Sequence, residues 1–535
     1  MSRLSILKVA LLSSAIALSA NSVVAQSALS NFDQDALVEL KARDGSTSLL
    51  GELLGVEDGF YIIRTEIGEL KINIASATCE GISCPAESQG EGFAIHVAPG
   101  IGLKLASEII RGYASETDAD VEFLESDRAD RQIIRMTRRT TGQSTEIVFF
   151  SGQSGFSSMV NGEAQLTLQD TPMREEIDPI FSGPALDQLL SPENEQTVAL
   201  DAVIVAVNPE NPVRYLSKAE IAGIFSGEIS NWLELGGGNR PISVHALEPS
   251  HVRGELFSKR VMGSGNLLSN NVNLVQSDRE VLAEVRSDPG AIGFLSRSGA
   301  ESARPIAIRE SCGLITRPNS FQLKTNGYPL TYPVFLYRRP AEIHSEAEGL
   351  VDWLATEDSQ SAIRRAGFVD RNLERMNLED MGMMLIHTAA VEPDFSPGQY
   401  SEMMRELRDA ERLSLSFRFR TGSSALDERS LANLEVLGRR MEAREFAGLE
   451  MLIVGFADAI GSQARNTQLA AQRAQSVRNI LVRSVSPETT SRLRLRTLSY
   501  GELLPVACNQ DEAGRELNRR VEIWVRRPGV REIGR

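Results

Sequence analysis

Near the end of the chain an apolar run, Leu452-Ile453-Val454, is followed within a few residues by an acid, Asp458, and fifteen residues later by a base, Arg473. The run has the bulk and length of a buried strand. From Asn466 to Arg483, the residues Leu469, Ala470, Ala474, Val477 and Ile480-Leu481 recur at helical spacing, which predicts a helix with one apolar stripe. A buried strand feeding a helix that is apolar along one face confines this region to an α/β layer. Asp458 then sits at the strand end and Arg473 about two turns into the helix. A carboxylate and a guanidinium beside one cleft suit a zwitterion, since each end of the ligand meets an opposite charge. A guanidinium can grip a ligand carboxylate through two parallel hydrogen bonds. The competing reading is a structural ion pair between Asp458 and Arg473.

At these residues the sequence resembles the OmpA-like peptidoglycan-binding family. The resemblance runs from about Arg412 to Arg527, roughly a fifth of the chain, and includes Phe417 to Asp427, the Asp458–Arg473 spacing, Asn466, Leu469, Gly514-Arg515 and Asn518-Arg519-Arg520-Val521. It implies that Asp458 holds the ammonium and Arg473 the carboxylate of the diaminopimelate in the cell-wall stem peptide, with Asn466 and Arg519 in support. The family's His and Thr before the acid are here Phe456 and Ala457, its helix Ser is Ala470, and its opening-loop Asn is Gly422.

A chain of 535 residues exceeds one core and suggests three or four domains, and 42% hydrophobic with 24% charged residues is a globular composition. The first 25 residues have the form of a secretory signal: Arg3 and Lys8, an apolar stretch from Val9 to Leu18, then Val23-Val24-Ala25 before Gln26. That stretch is shorter than a membrane span requires, and no later one qualifies. Position 26 is Gln rather than Cys, so a lipoprotein anchor is not expected. Removing Arg3 and Lys8 takes the net charge from −16 to −18. Nucleic acid is a poor partner for such a chain, and an anionic ligand must find local positive charge against a repulsive field. Cys79 and Cys84 lie in one short loop and predict a local disulfide in an oxidising compartment. Cys312 and Cys508 lie in different expected domains, and their pairing stays open. No Cys or His pairs recur at metal-ligand spacing, so neither metal nor cofactor is expected.

Residues 36–88 alternate apolar and polar positions around Asp44-Gly45 and Asp58-Gly59, which predicts a small β domain of four or five strands. From 90 to 375 strands alternate with helices. The residues 93–98 form an apolar run before a helix pattern from Gly102 to Ala114, and Ala202 to Val207 is a continuous apolar strand covered on both faces. A linker with a short helix occupies 376–411, and 412–527 is the terminal domain.

Leu200 to Gly237 resembles the phosphate-type periplasmic substrate-binding proteins, with further matches at Asp288 to Phe294, Tyr328-Pro329-Leu330 and Gly367 to Asp370, over about half the chain. The resemblance implies two α/β lobes joined at a hinge, with a ligand caught between them. Three loops depart from it. The family's first, hydroxyl-bearing loop is Val97-Ala98-Pro99-Gly100, its second is Gln165 to Thr171, and its Ser-Gly-Thr loop is His251-Val252-Arg253. Each lost charge-assisted hydrogen bond is worth roughly 1.5–3 kcal/mol, so weak phosphate binding is expected. His251 and Arg253 are candidates for another small anion, or else solvated surface residues.

No nucleophile elbow, P-loop or dinucleotide fingerprint is present, so an enzyme is not expected. The expected fold class is an α/β and α+β multidomain chain: a small β domain, a two-lobed α/β domain and a C-terminal α/β sandwich. The expected function is a periplasmic solute-binding-like protein moored non-covalently to peptidoglycan, with a small anion or an envelope protein as further partner. The alternatives are a phosphate-binding component of an ABC-type importer tethered to the wall, and a phosphatase on the same lobes, which would need a nucleophile or metal site.

Overall fold

The computed structural model describes residues 37–528, apart from 43–46, 58–59, 66–67, 74–75, 82, 85–91, 129, 153, 174–187, 192, 249–251, 264–267, 301–302, 383–395 and 420–425. The expected signal segment, the turns at Asp44-Gly45 and Asp58-Gly59, and His251 lie outside the described residues. The chain is a mixed α/β multidomain protein of two compact units. One comprises the chain up to Val198 together with Val334–Ala362. The other comprises Ala199–Pro333 and the chain from Ile363.

In the first unit, five antiparallel strands form a small sheet in the order Gly68–Asn73, Phe60–Thr65, Ser48–Glu57, Leu37–Ala42, Ala77–Glu80. Alternation puts Val38, Leu40, Tyr61 and Ile63 on one face, around a core that includes Cys84. Cys79, paired in register with Leu40, is bonded to Cys84 across the following turn. The same unit holds an α/β lobe. Its strand Gly92–Val97 lies parallel to both Leu166–Gln169 and Ser144–Phe150. A hairpin the sequence reading had not separated, Ala119–Leu124 with Arg131–Arg138, extends the sheet antiparallel. Helix Leu103–Glu116 buries Leu105, Ala106, Ile109, Ile110 and Tyr113, the stripe that a 3.6-residue period requires.

In the second unit, Ala202 to Val207 are buried on both faces within the strand Glu195–Val207. Their neighbour Ala291–Ser296 runs antiparallel to them and parallel to Ser243–Leu247. A capping box at Ser217 and Glu220 starts helix Lys218–Ser226, and Gly227, at φ 84°, ends it in the left-handed region.

The C-terminal domain of this unit is a five-stranded mixed sheet in the order Arg375–Asn377, Glu411–Arg418, Arg520–Arg526, Glu450–Gly455, Arg494–Ser499. Both faces are covered, which is why Met451 to Val454 form a continuous apolar run in the strand Glu450–Gly455. Met451, Ile453, Ile523 and Val525 meet helices Glu428–Glu442 and Gln463–Ser484. Leu452, Val454 and Trp524 face the opposite way, onto helix Pro397–Leu407. Residues 376–411, expected as a linker with a short helix, contribute to this sheet and its cover. Arg375–Asn377 pairs with Glu411–Arg418 as the edge strand, and Met403 and Leu407 are completely buried. The polar look of that helix reflects the single narrow face it buries.

Candidate functional site

The strand Glu450–Gly455 continues its contacts beyond its last residue: Phe456 N–H donates to Arg520 O and Ala457 N–H to Gly501 O. These two bonds fix the backbone that leads to Asp458. Its Oδ1 accepts from Ile460 N at 2.9 Å, a local turn that fixes the carboxylate, and its Oδ2 accepts from Arg519 Nη1 at 3.0 Å. Ser462 caps the following helix, which opens at Gln463 rather than Asn466 and so sets Arg473 about one turn deeper than the spacing suggested.

Among the described residues, none forms a hydrogen bond or ion pair with the half-buried side chain of Arg473. Burial, followed by the positive charge of Arg519, depresses its pKa, while the carboxylate of Asp458 acts in the opposite sense. The structural pairing runs instead between Asp458 and Arg519. Burial works against the charge of Arg519, but hydrogen bonds to Asp458 and Glu512 outweigh it and raise its pKa. Glu512 lies within 2.6 Å of Arg519 and 2.7 Å of Arg515. The site therefore gathers the guanidinium groups of Arg473, Arg515 and Arg519 around Asp458 and Glu512, with Glu516 3.9 Å from Arg519.

Asn466 is fully buried and donates to Glu502 Oε2 at 2.6 Å, so it acts on the shape of the site rather than on its surface. Two asparagines do similar work. Asn509 Oδ1 accepts from Ala459 N at 3.2 Å and from Asn518 Nδ2 at 3.0 Å, and Asn518 Oδ1 accepts from Val506 N and Ala507 N. Asn518 was visible in the motif. Asn509, in a loop without periodicity, gave no sequence signal.

In the second lobe Arg253 is not a surface residue. It is buried, and its Nη1 donates to Asp278 Oδ2 at 2.8 Å. Asp278 also accepts from the backbone and hydroxyl of Ser296. The loops of the first lobe are similarly occupied. Thr167 Oγ1 lies 2.9 Å from His96 Nδ1 and accepts from Gln169, while Gln165 Oε1 accepts from His344 N. Helix Leu103–Glu116 begins at Gly102 without a side-chain cap, and a Cβ on Gly100 would fall 1.9 Å from Asp170 Oδ2. Among the described residues no group of three or more His, Cys, Asp or Glu is arranged to hold a metal ion, and no helix is long and apolar enough to cross a membrane. The four cysteines form two disulfides, Cys79–Cys84 and Cys312–Cys508.

Comparison with known proteins finds two regions of similarity. The phosphate-binding protein PstS of Staphylococcus epidermidis is 22% identical over 232 residues, which cover 41% of this chain and 69% of that protein. Outer membrane porin F of Pseudomonas aeruginosa is 33% identical over 114 residues, 21% of this chain and 31% of the porin. An ABC-type phosphate transport receptor from Vibrio cholerae, 18% identical, aligns over 52% of this chain and 99% of its own with a TM-score of 0.37. Family models match at two places, and the chain thus carries a PBP superfamily domain at residues 131–358 and an OmpA family domain at residues 418–519.

Proposed function

We propose that this is a solute-binding-like protein of the cell envelope, exported to the periplasm and held reversibly on peptidoglycan by its C-terminal domain. Asp458 takes the ammonium of diaminopimelate and Arg473 its carboxylate. Arg519 balances Asp458 when the site is empty, and Asn466 keeps the adjoining loop in place. The observation that carries this reading is the half-buried guanidinium of Arg473, which has no partner among the described residues beside a carboxylate that has one. A structural Asp458–Arg473 bridge would have satisfied both. Pairing of all four cysteines fits an oxidising compartment outside the cytoplasm.

The test is retention on purified sacculi. Asp458→Ala or Arg473→Ala each leaves one ligand charge unpaired in the site, at a cost of about 2–5 kcal/mol when desolvation is substantial. Both variants are expected to lose most binding while keeping the circular dichroism of the wild type. Equal retention of wild type and variants would overturn the reading. The similarity to a phosphate-binding protein over 232 residues favours a second one, a phosphate-binding importer component tethered to the wall.

A further inference from the structure

The loop between strand Arg494–Ser499 and helix Glu512–Asn518 walls one side of the Asp458 site. Gly501 O accepts from Ala457 N, Asn509 Oδ1 from Ala459 N, and Asn509 O from Arg515 Nη1. Asn509 therefore touches the neighbour of Asp458 and the arginine that shares Glu512 with Arg519. Such a loop does not hold itself. Leu504 is a buried, non-glycine residue at φ 54°, a left-handed conformation that persists only when its surroundings impose it. One constraint is Arg520, whose Nη2 donates to Leu504 O at 2.7 Å. Another is covalent: Cys508, adjacent to Asn509, is bonded to Cys312, 196 residues away, in the turn between strands Ala307–Arg309 and Ile315–Thr316 of the second lobe. Cys312 N–H also points at Cys508 Sγ.

The lobe and the wall domain have a separate, non-covalent join. Arg429 donates to Leu323 O and Lys324 O, and Arg418 to Thr325 O, so arginines of the wall domain cap the last carbonyls of helix Ser320–Lys324. The disulfide is thus not needed to keep the two together. Its distinct contribution is to the loop.

We propose that the Cys312–Cys508 bond clamps the loop of residues 501–511 against the second lobe and thereby holds the Asp458–Arg473 site in its peptidoglycan-binding geometry. This rests on the peptidoglycan reading of that site. The experiment uses the mature chain and a C312S/C508S double variant, with sacculus-binding isotherms and amide hydrogen exchange of residues 456–460 and 504–511. The expected result is affinity weaker by about tenfold, within the usual range of coupling between sites, and faster exchange at Ala459. Unchanged affinity and exchange in the folded double variant would overturn the clamp. Should that variant fail to fold, Asn509→Ala with the disulfide intact is expected to show the same loss, and wild-type affinity there overturns it. If wild type itself does not bind sacculi, the peptidoglycan reading fails, and the exchange at Ala459 alone decides whether the clamp stands.

Discussion

At Asp201 a carboxylate is completely buried within the stretch from Val198 to Val207, whose other residues are apolar. It accepts four hydrogen bonds: Oδ1 from Ala202 N and Ser298 N, Oδ2 from Ser298 Oγ and Tyr332 OH. Burial outweighs these bonds and the more distant charge of Arg253, and its pKa is pushed up to about 6 from 3.8. The sign follows directly. The folded chain holds this proton more tightly than the unfolded one, so the stabilisation is complete below about pH 4 and is lost as pH rises through about 6. A shift of about two units corresponds to at most about 3 kcal/mol. Asp201→Asn keeps the shape and removes the titration. Urea unfolding at several pH values should therefore show wild type losing stability relative to the variant between pH 4 and 7, and a constant difference would refute the assignment. Asp201 was illegible in the sequence because a lone acid in an apolar run carries no sign of the hydroxyls that will surround it. Asp458 and Arg473 were legible because charges at a strand end and on the following helix have positions that periodicity alone supplies.

The helix Gln463–Ser484 and the strand Glu450–Gly455 approach each other closely at Gly455 and Ala470. A Cβ on Gly455 would lie 2.0 Å from Ala470 O, and Ala470, where the family has Ser, is itself completely buried. Both elements are otherwise well packed, so neither can retreat cheaply. Gly455→Ala is expected to destabilise the domain by about 1–3 kcal/mol through overpacking, and to weaken sacculus binding because Asp458 lies three residues on. Thermal unfolding with a sacculus pull-down checks it, and a wild-type melting temperature would show that the contact yields. This strand and helix were readable because their apolar residues repeat with one period. Helix Pro397–Leu407 is legible as a short helix, but not its role as a cover of the sheet. With only Met403 and Leu407 fully buried, its sequence is mostly solvent-facing, and nothing local reveals that the far face of a sheet needs a cover. The hairpin Ala119–Leu124 with Arg131–Arg138 was missed because only Ala119, Ile134 and Met136 of its strand residues are buried and its strands are rich in charge.

For the whole molecule, the similarity to a phosphate-binding protein and the chemistry of the loops point in opposite directions. Similarity at this level reports a shared frame, while affinity depends on a few donors at the strand ends. Of the three loops expected to supply them, the first has Val97, Ala98, Pro99 and Gly100 in place of hydroxyls. In the second, Thr167 is taken up by His96 and Gln169, and Asp170 brings a carboxylate against Gly100, adverse to any anion near the uncapped start of helix Leu103–Glu116. In the third, Arg253 is neutralised by Asp278. The chain adds a net charge of −16, which lowers the local concentration of anions everywhere on its surface. Similar frames with different donors should therefore differ in ligand. Titration calorimetry of the protein with inorganic phosphate is expected to give no measurable heat of binding below about millimolar concentration, equivalent to less than about 4 kcal/mol of affinity. Arg253→Ala is expected to lower stability rather than affinity, because it takes the ion-pair partner from the partly buried carboxylate of Asp278. Micromolar phosphate binding would mean that residues other than these loops supply the donors, and would favour the importer reading over that of a wall-moored protein with a different ligand.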